Sequence, residues 1–291
     1  MIHLILPVHN RAEITARFLR GLACQRNQDF RVLLVDDGCN DSTVAVARSI
    51  LPAKRLLVLH GDGHLWWAGA LQLAYLHLCQ YRPDPDDTVL ICNDDMMLGP
   101  EFLDAADAAT RERPSAATQA IGHDLITGTV DSGAIADLRR LRFSAADTTQ
   151  VPNCLSTRGL AMRAPIFIAS GGFRPQRLPH YLSDYEFTLR LGRHGVELRC
   201  DPRFEAQISM ELTGQSRYVY RDLRSFWTAA FSNRAKYNPA HWTAFILIAC
   251  PLWTTPYHLT RVWLQFLLAM GRAAWPFARK DRRLASAVGN D

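Results

Sequence analysis

Asn93-Asp94-Asp95 directly follows the apolar run Thr88-Val89-Leu90-Ile91-Cys92. Carboxylates a few ångströms apart at the end of a buried strand repel each other. A divalent cation, itself chelated by a nucleotide diphosphate, offsets that cost, and oxygen donors of this kind suit Mg²⁺ or Mn²⁺. The plain alternative is a polar turn before a helix opened by Gly99-Pro100. A second acid pair, Asp36-Asp37, closes the run Arg31 to Val35. Pro7, His9 and Asn10 follow Ile2 to Leu6, and His60 to Gly63 follow Leu56 to Leu59. Apolar runs thus end repeatedly in polar groups, and acids arrive from two of them. Packing alone gives no reason to collect carboxylates at such points, whereas a binding site does.

The elements that must position these groups alternate strand and helix through the first hundred residues. Asn10 and Glu13 have capping-box spacing, and Ile14, Phe18, Leu19 and Leu22 then form one apolar helical stripe. Asn40 to Thr43 cap a helix running to about Ile50, and Trp66 to Leu78 is a third helix. The strand runs are continuously apolar, so they are buried on both faces, as in a parallel sheet with right-handed crossovers. The fold class expected is α/β, with ligands outside the carboxyl ends of the strands. From Pro114 to Val151 the pattern weakens into short strands and a polar loop, Ser144 to Gln150. Ser183-Asp184-Tyr185-Glu186 then opens a helix ending at Gly192 or Gly195, again with capping-box spacing.

Nearly half of the 291 residues are apolar, ample for a folded core. Seven cysteines without a Cys-x-x-Cys pair give neither a disulfide framework nor a zinc site. Cys79, Cys92 and Cys250 lie in apolar runs and read as reduced, buried thiols. Met1 to Pro7 enters a strand with no secretory leader pattern, which predicts a cytoplasmic protein. The net charge of +5 is unevenly placed, with Arg272, Arg279, Lys280, Arg282 and Arg283 near the end. Such a tail suits an anionic partner, nucleic acid or membrane. Leu259, Val262, Trp263, Phe266, Leu267 and Met270 recur at helical spacing, and Trp253, Trp263 and Trp275 suit the headgroup interface. Pro239, Pro251 and Pro256 interrupt the uncharged stretch, leaving Ala244 to Leu252 far short of the ~20 residues a bilayer requires. The expectation is a region lying on the anionic inner face of the cell membrane, with no nucleic acid partner. The alternative is a helical pair packed on the rest of the chain or in a homodimer.

The motifs resemble family-2 glycosyltransferases with the GT-A fold over about Ile2 to Gly214. The carriers are Leu6-Pro7-Val8-His9-Asn10-Arg11, Val35-Asp36-Asp37-Gly38, Gly61-Asp62-Gly63-His64-Leu65-Trp66-Trp67-Ala68-Gly69-Ala70 and Cys92-Asn93-Asp94-Asp95. Gly171-Gly172-Phe173 leading to His180-Tyr181-Leu182-Ser183-Asp184-Tyr185-Glu186 completes the set. The tryptophan-bearing segment is similar to that of enzymes building bacterial surface polysaccharides such as lipopolysaccharide O-antigen, rhamnosyl- and galactosyltransferases among them. The resemblance implies a GT-A catalytic domain over 1–217, divided into a donor half (1–113) and an acceptor half (114–217), with a helical extension over 218–291. It implies an inverting, metal-dependent transfer from a UDP- or dTDP-linked sugar to a growing, lipid-linked glycan.

Residue by residue, Pro7, His9, Arg11, Asp36, Asp37, Gly63, Trp67, Asn93 and Asp94 would contact the donor nucleotide. Asp95, with Asp94, would hold Mg²⁺ or Mn²⁺, and Gly171, Gly172, His180 and Tyr181 would meet the acceptor. Asp184 would be the general base, kept ionised by its helix amino terminus; the bland reading makes it a helix cap. Of Trp66 and Trp67, one is expected to pack inward. The chain departs from the family pattern at Ser183, where a Glu is frequent. A metal-ligating histidine is also missing near Gln207-Ile208-Ser209-Met210-Glu211, leaving Glu211 or water to complete the coordination. The alternatives are a catalytically silent assembly subunit and a sugar-1-phosphate nucleotidyltransferase.

Overall fold

A computed structural model describes residues 1–124, 126–147, 149–208, 223–233 and 235–288, the side chains of 223 and 273–288 excepted. The first part of the chain runs β1 (Ile2–Val8), α1 (Ala12–Ala23), β2 (Phe30–Asp36), α2 (Thr43–Ile50), β3 (Leu56–His60), α3 (Trp66–Tyr81), β4 (Thr88–Ile91), β5 (Met97–Leu98) and α4 (Phe102–Glu112). The chain continues through β6 (Ala116–Asp124), β7 (Val130–Asp131), β8 (Ala134–Asp137), β9 (Arg142–Ala145), β10 (Leu160–Arg163), α5 (Ala164–Ala169), α6 (Ser183–Arg193) and β11 (Glu197–Ile208). It ends in α7 (Leu223–Ala230), α8 (Pro239–Ala249) and α9 (Thr255–Val288).

Among the described residues one nine-stranded sheet is ordered β3-β2-β1-β4-β10-β6-β11-β5, with β7 on β6 and β8–β9 as a separate hairpin. The strands from β3 to β4 are parallel, β10 runs against β4 and β6, and β11 is parallel to β6. These directions put the ends of β1, β2, β3, β4, β6 and β11, and the start of β10, on one edge.

The expected burial on both faces is what the strands show. Ile2, Leu4, Leu6 and Val8 join Phe18, Leu19, Leu22, Phe102 and Leu103 on the face under α1, α2 and α4. Ile5, Leu33 and Val35 join Leu71, Leu78, Phe167 and Phe187 on the face under α3, α5 and α6. Period-two side-chain placement turns a continuous apolar run into two cores.

Neither capping box forms. Asn10 has φ 51°, and its Oδ1 accepts from the Asn40 amide at 2.9 Å instead. Residue 11 precedes α1 without a side-chain cap. Ser183 already lies inside α6 and donates to the His180 carbonyl at 2.6 Å, while Glu186 pairs with Arg190 at 2.9 Å. Ser144 and Ala145, expected in a loop, end the short strand β9.

The C-terminal helices fold back on the chain. A third core joins Ala136 and Leu141 of the hairpin, Leu182 just before α6, Leu189 within it, and Phe245 and Ile246 of α8, with Leu259 and Val262 packed against it. Phe266 stacks on Phe226 at 5.6 Å. Of the residues expected on the membrane face, Leu259, Val262 and Phe266 thus turn inward, whereas Trp263 and Leu267 are exposed. Trp275, the 279–283 basic cluster and Glu211 lie outside the described side chains. Among the described residues no helix is long and apolar enough to cross a membrane.

Candidate active site

The Asp94–Asp95 pair sits just past β4 and is buried. Asp94 Oδ1 is 2.9 Å from Arg11 Nη1, and its Oδ2 accepts from Thr15 Oγ1 at 2.8 Å. Burial raises its proton affinity, opposed by Arg11 and Thr15 and reinforced by the Asp95 charge. Arg11 Nη2 lies 3.9 Å from Asp95 Oδ2. Among the described residues Asp95 Oδ1 and Asn93 Oδ1 are buried with no hydrogen-bond partner. Buried oxygens are ordinarily satisfied, so each such atom calls for an explanation.

The loops after β2 and β3 are tied together. Asp37, expected at the donor, accepts the Leu65 amide at 3.1 Å and the Trp66 amide at 3.0 Å, so both its oxygens anchor the start of α3. Asp36 accepts the Cys39 amide at 2.7 Å and His60 Nδ1 at 3.1 Å. Burial would raise the Asp36 carboxyl, but these hydrogen bonds outweigh it and hold it below its ordinary range. His9 Nδ1 donates to the Asp37 carbonyl at 2.6 Å, leaving its exposed side toward solvent. Pro7 pairs with Val35 beyond the last β4 partner, where its missing N–H is tolerated. Gly38 and Gly63 both have positive φ, and a Cβ on Gly38 would stand 2.7 Å from Gly63 Cα. The main chains of these two loops thus touch directly.

The tryptophans divide as expected, though Trp67 is the one that packs inward. It lies against the α3-side core, and its indole donates to Thr157 Oγ1 at 3.1 Å. Trp66 takes a φ of 56°, a costly conformation for a bulky residue, and its ring meets His180 edge-on at 6.1 Å. His180 in turn meets Tyr181 at 4.8 Å, and the Pro179 carbonyl accepts the Ala68 amide at 2.9 Å. Three aromatic rings from two segments therefore converge.

Asp184 occupies the first turn of α6, with Oδ1 on the Tyr185 amide at 2.9 Å. Burial pushes its carboxyl up to about 6, against that hydrogen bond and the Arg158 charge. The expectation that the helix terminus would dominate is corrected: desolvation wins. Thr188 ties this helix to the segment before β10, donating to the Leu155 carbonyl at 2.9 Å and accepting its amide at 3.0 Å.

Three further residues belong here that sequence reading passed over. Arg158 lies 3.7 Å from Asp131, and both charges act on Asp184. Asp131 also accepts from Gln119 Nε2 at 3.1 Å, and Gln119 Oε1 takes the Ser156 amide at 2.7 Å. The available signal was an Arg and an Asp in weakly patterned sequence.

Gly171 and Gly172 do not join this group. Gly172 has φ 71°, and a Cβ there would collide with Gln72 and the Tyr75 ring. Its carbonyl accepts from Arg190 Nη2 at 2.6 Å, and the next amide donates to Gln72 Oε1 at 2.6 Å. Gly172 thus docks a turn on α3, on the Glu186–Arg190 side of α6.

The profile of the family described as Glycosyl transferase family 2 matches residues 3–160, more than half of the chain. The chain belongs to glycosyl transferase family 2. No curated protein sequence matches it. Among solved structures, the mannosyltransferase PcManGT from Pyrobaculum calidifontis, in complex with GDP-Man and Mn²⁺, is similar with a TM-score of 0.55. Identity is 16%, over 98% of this chain and 80% of that one. TarS of S. aureus, residues 1–349 in complex with UDP-GlcNAc, gives a TM-score of 0.56 at 14% identity, over 90% of this chain and 71% of that one. These likenesses carry the GT-A fold. The nucleotidyltransferase alternative falls away: this family 2 protein is a glycosyltransferase.

The donor set of this family 2 transferase suits a divalent ion. Asp95 Oδ1 is a buried oxygen without a partner, beside a second carboxylate, and Mg²⁺ or Mn²⁺ is commonly held by one or two carboxylates plus phosphate and water. Among the described residues no cluster of three or more His, Cys, Asp or Glu forms a metal site. Two carboxylates are what the described protein offers.

Proposed function

We propose that this enzyme transfers a sugar, with inversion and with a divalent metal, from a UDP- or dTDP-linked donor to a growing, lipid-linked cell-surface glycan. The observation that carries the reading is the orphaned Asp95 Oδ1 beside Asp94, on the same sheet edge as the segment that anchors the Asp184 helix. Asp95 and Asp94 would hold Mg²⁺ or Mn²⁺, which supplies positive charge against the leaving diphosphate. Arg11, already on both acids, adds a fixed cation beside the same phosphates. His9 and Asn93 offer polar atoms toward the nucleotide, and Trp66, His180 and Tyr181 give faces on which sugar rings can lie.

Asp184 accepts the proton of the acceptor hydroxyl. With its carboxyl raised to about 6 it is largely ionised at neutral pH yet more basic than an exposed aspartate. The acceptor oxygen forms its bond to the anomeric carbon as the carbon–oxygen bond to the diphosphate breaks on the opposite face. One displacement inverts the configuration; the proton stays on Asp184 and the bonding electrons leave with the nucleotide. Relatives of the fold solved with GDP-Man and with UDP-GlcNAc support a nucleotide sugar as the donor class. Attachment to the cytoplasmic face of the membrane would bring the site to a lipid-linked acceptor.

The test is thermal shift with nucleoside diphosphates and nucleotide sugars, with and without Mn²⁺, followed by nucleotide-sugar hydrolysis without acceptor. Stabilisation that needs both nucleotide and metal, with slow hydrolysis, is expected. Binding without turnover under any condition would favour a silent assembly subunit, and no metal-dependent binding would end the proposal.

A further inference from the structure

We infer that the outward face of α8, α9 and the turn joining them, formed by Leu247, Leu252, Trp253, Tyr257, Leu264 and Leu268, is the surface on which the protein seats against an anionic lipid bilayer. This rests on the membrane attachment proposed above and moves it to another face of the helix.

Along α9 the inner row is covered. His258 is fully buried and Phe266 nearly so, and Leu259 and Val262 pack on the third core. Side chains three and four residues apart share a helix face, and the row through Tyr257, Leu264 and Leu268 points away from that core. Trp253 is 73% exposed, Leu252 82% and Tyr257 64%; Leu247, Leu264 and Leu268 each exceed half. Large apolar side chains grouped this way on a surface mark a binding face.

Charge selects the occupant. Residues 223–280 hold seven Lys or Arg and no Asp or Glu, against +5 for the whole chain, so the rest of the protein is net acidic by two. A two-fold contact would set this acid-free region against its own copy, which repels. A leaflet of anionic headgroups attracts it, and Trp253 and Tyr257 have the amphipathic rings that settle at headgroup level. Arg261 is already turned to the hairpin, donating to the Arg140 carbonyl at 3.1 Å and the Leu141 carbonyl at 3.2 Å. The same helix that would touch lipid therefore also holds the hairpin next to α6.

The test is co-sedimentation of the full chain with phosphatidylcholine vesicles and with mixed phosphatidylcholine–phosphatidylglycerol vesicles. Binding to the mixed vesicles alone is expected. In the variant Trp253→Ser, Tyr257→Ser, Leu264→Gln, Leu268→Gln the bound fraction should fall about tenfold, with an unchanged melting temperature because the residues are exposed. Equal binding by that variant overturns the assigned face while attachment stands. Failure of the wild-type chain to bind any vesicle overturns attachment and face together. A wild-type dimer in light scattering that the four substitutions disperse means that a second copy covers the face, and also overturns the inference.

Discussion

Replacing Asp184 by Asn should cost the enzyme its activity and make the protein more stable. The carboxyl is raised from 3.8 to about 6 by burial, so between those values the folded state holds a proton that the unfolded state has lost. Stability therefore falls as pH rises through this window, and above about 6 the full penalty of a buried carboxylate is in place. Two units at about 1.4 kcal/mol each set a ceiling of about 3 kcal/mol at pH 7.5; water at the accessible edge of the side chain lowers it. Asn keeps the Oδ1 that accepts the Tyr185 amide and removes the charge. A chain of this size gains about 2–4 °C per kcal/mol, so Asp184→Asn should melt several degrees higher at pH 7.5, with the gap closing by pH 4. Differential scanning calorimetry across that range, beside a turnover assay, measures both halves. A variant that melts lower than wild type at pH 7.5 would refute the reasoning, because the bond to the Tyr185 amide is kept while a carboxylate that burial disfavours is removed.

The acid limb of the wild-type rate profile should bend near pH 6; Arg158→Gln should move it to higher pH, since Arg158 opposes protonation of Asp184, and Asp131→Asn should move it lower. Asp95→Ala should lower the transfer rate by about 10² to 10³ and abolish Mn²⁺-dependent thermal stabilisation by nucleotide; turnover at the wild-type rate, or full wild-type activity in EDTA, would contradict the metal reading. Gly172→Ala should lose more than about 1 kcal/mol by urea unfolding, because the new methyl meets Gln72 and Tyr75 at a positive φ. Asp37→Ala should unfasten the start of α3 and cost about 1–2 kcal/mol, read by the same titration.

The strands and helices of the first hundred residues were legible because burial on both faces leaves unbroken apolar runs. The acid pair past β4 was legible because it directly follows an unbroken apolar run. Caps were not: spacing suggested Asn10 and Ser183, but Asn10 adopts a positive φ to receive Asn40, a partner thirty residues away. The roles of Asp37 and Gly172 depend on Leu65, Trp66 and Gln72, distant contacts that no local pattern encodes. In α9 the period correctly grouped Leu259, Val262 and Phe266, but a period cannot say whether lipid or the same chain covers the group. Asp131 was hidden because β7 is two residues long, too short for any periodicity.

The Gly38–Gly63 contact has a consequence for anyone reshaping donor preference by directed evolution. Two main chains cross there without a side chain between them, so the loops after β2 and β3 behave as a single unit. A library that randomises either position samples mostly misfolded clones. One that fixes both glycines and varies Asn40, Asp62 and His64, all exposed on the same two loops, would probe the proposed donor contacts on an intact scaffold.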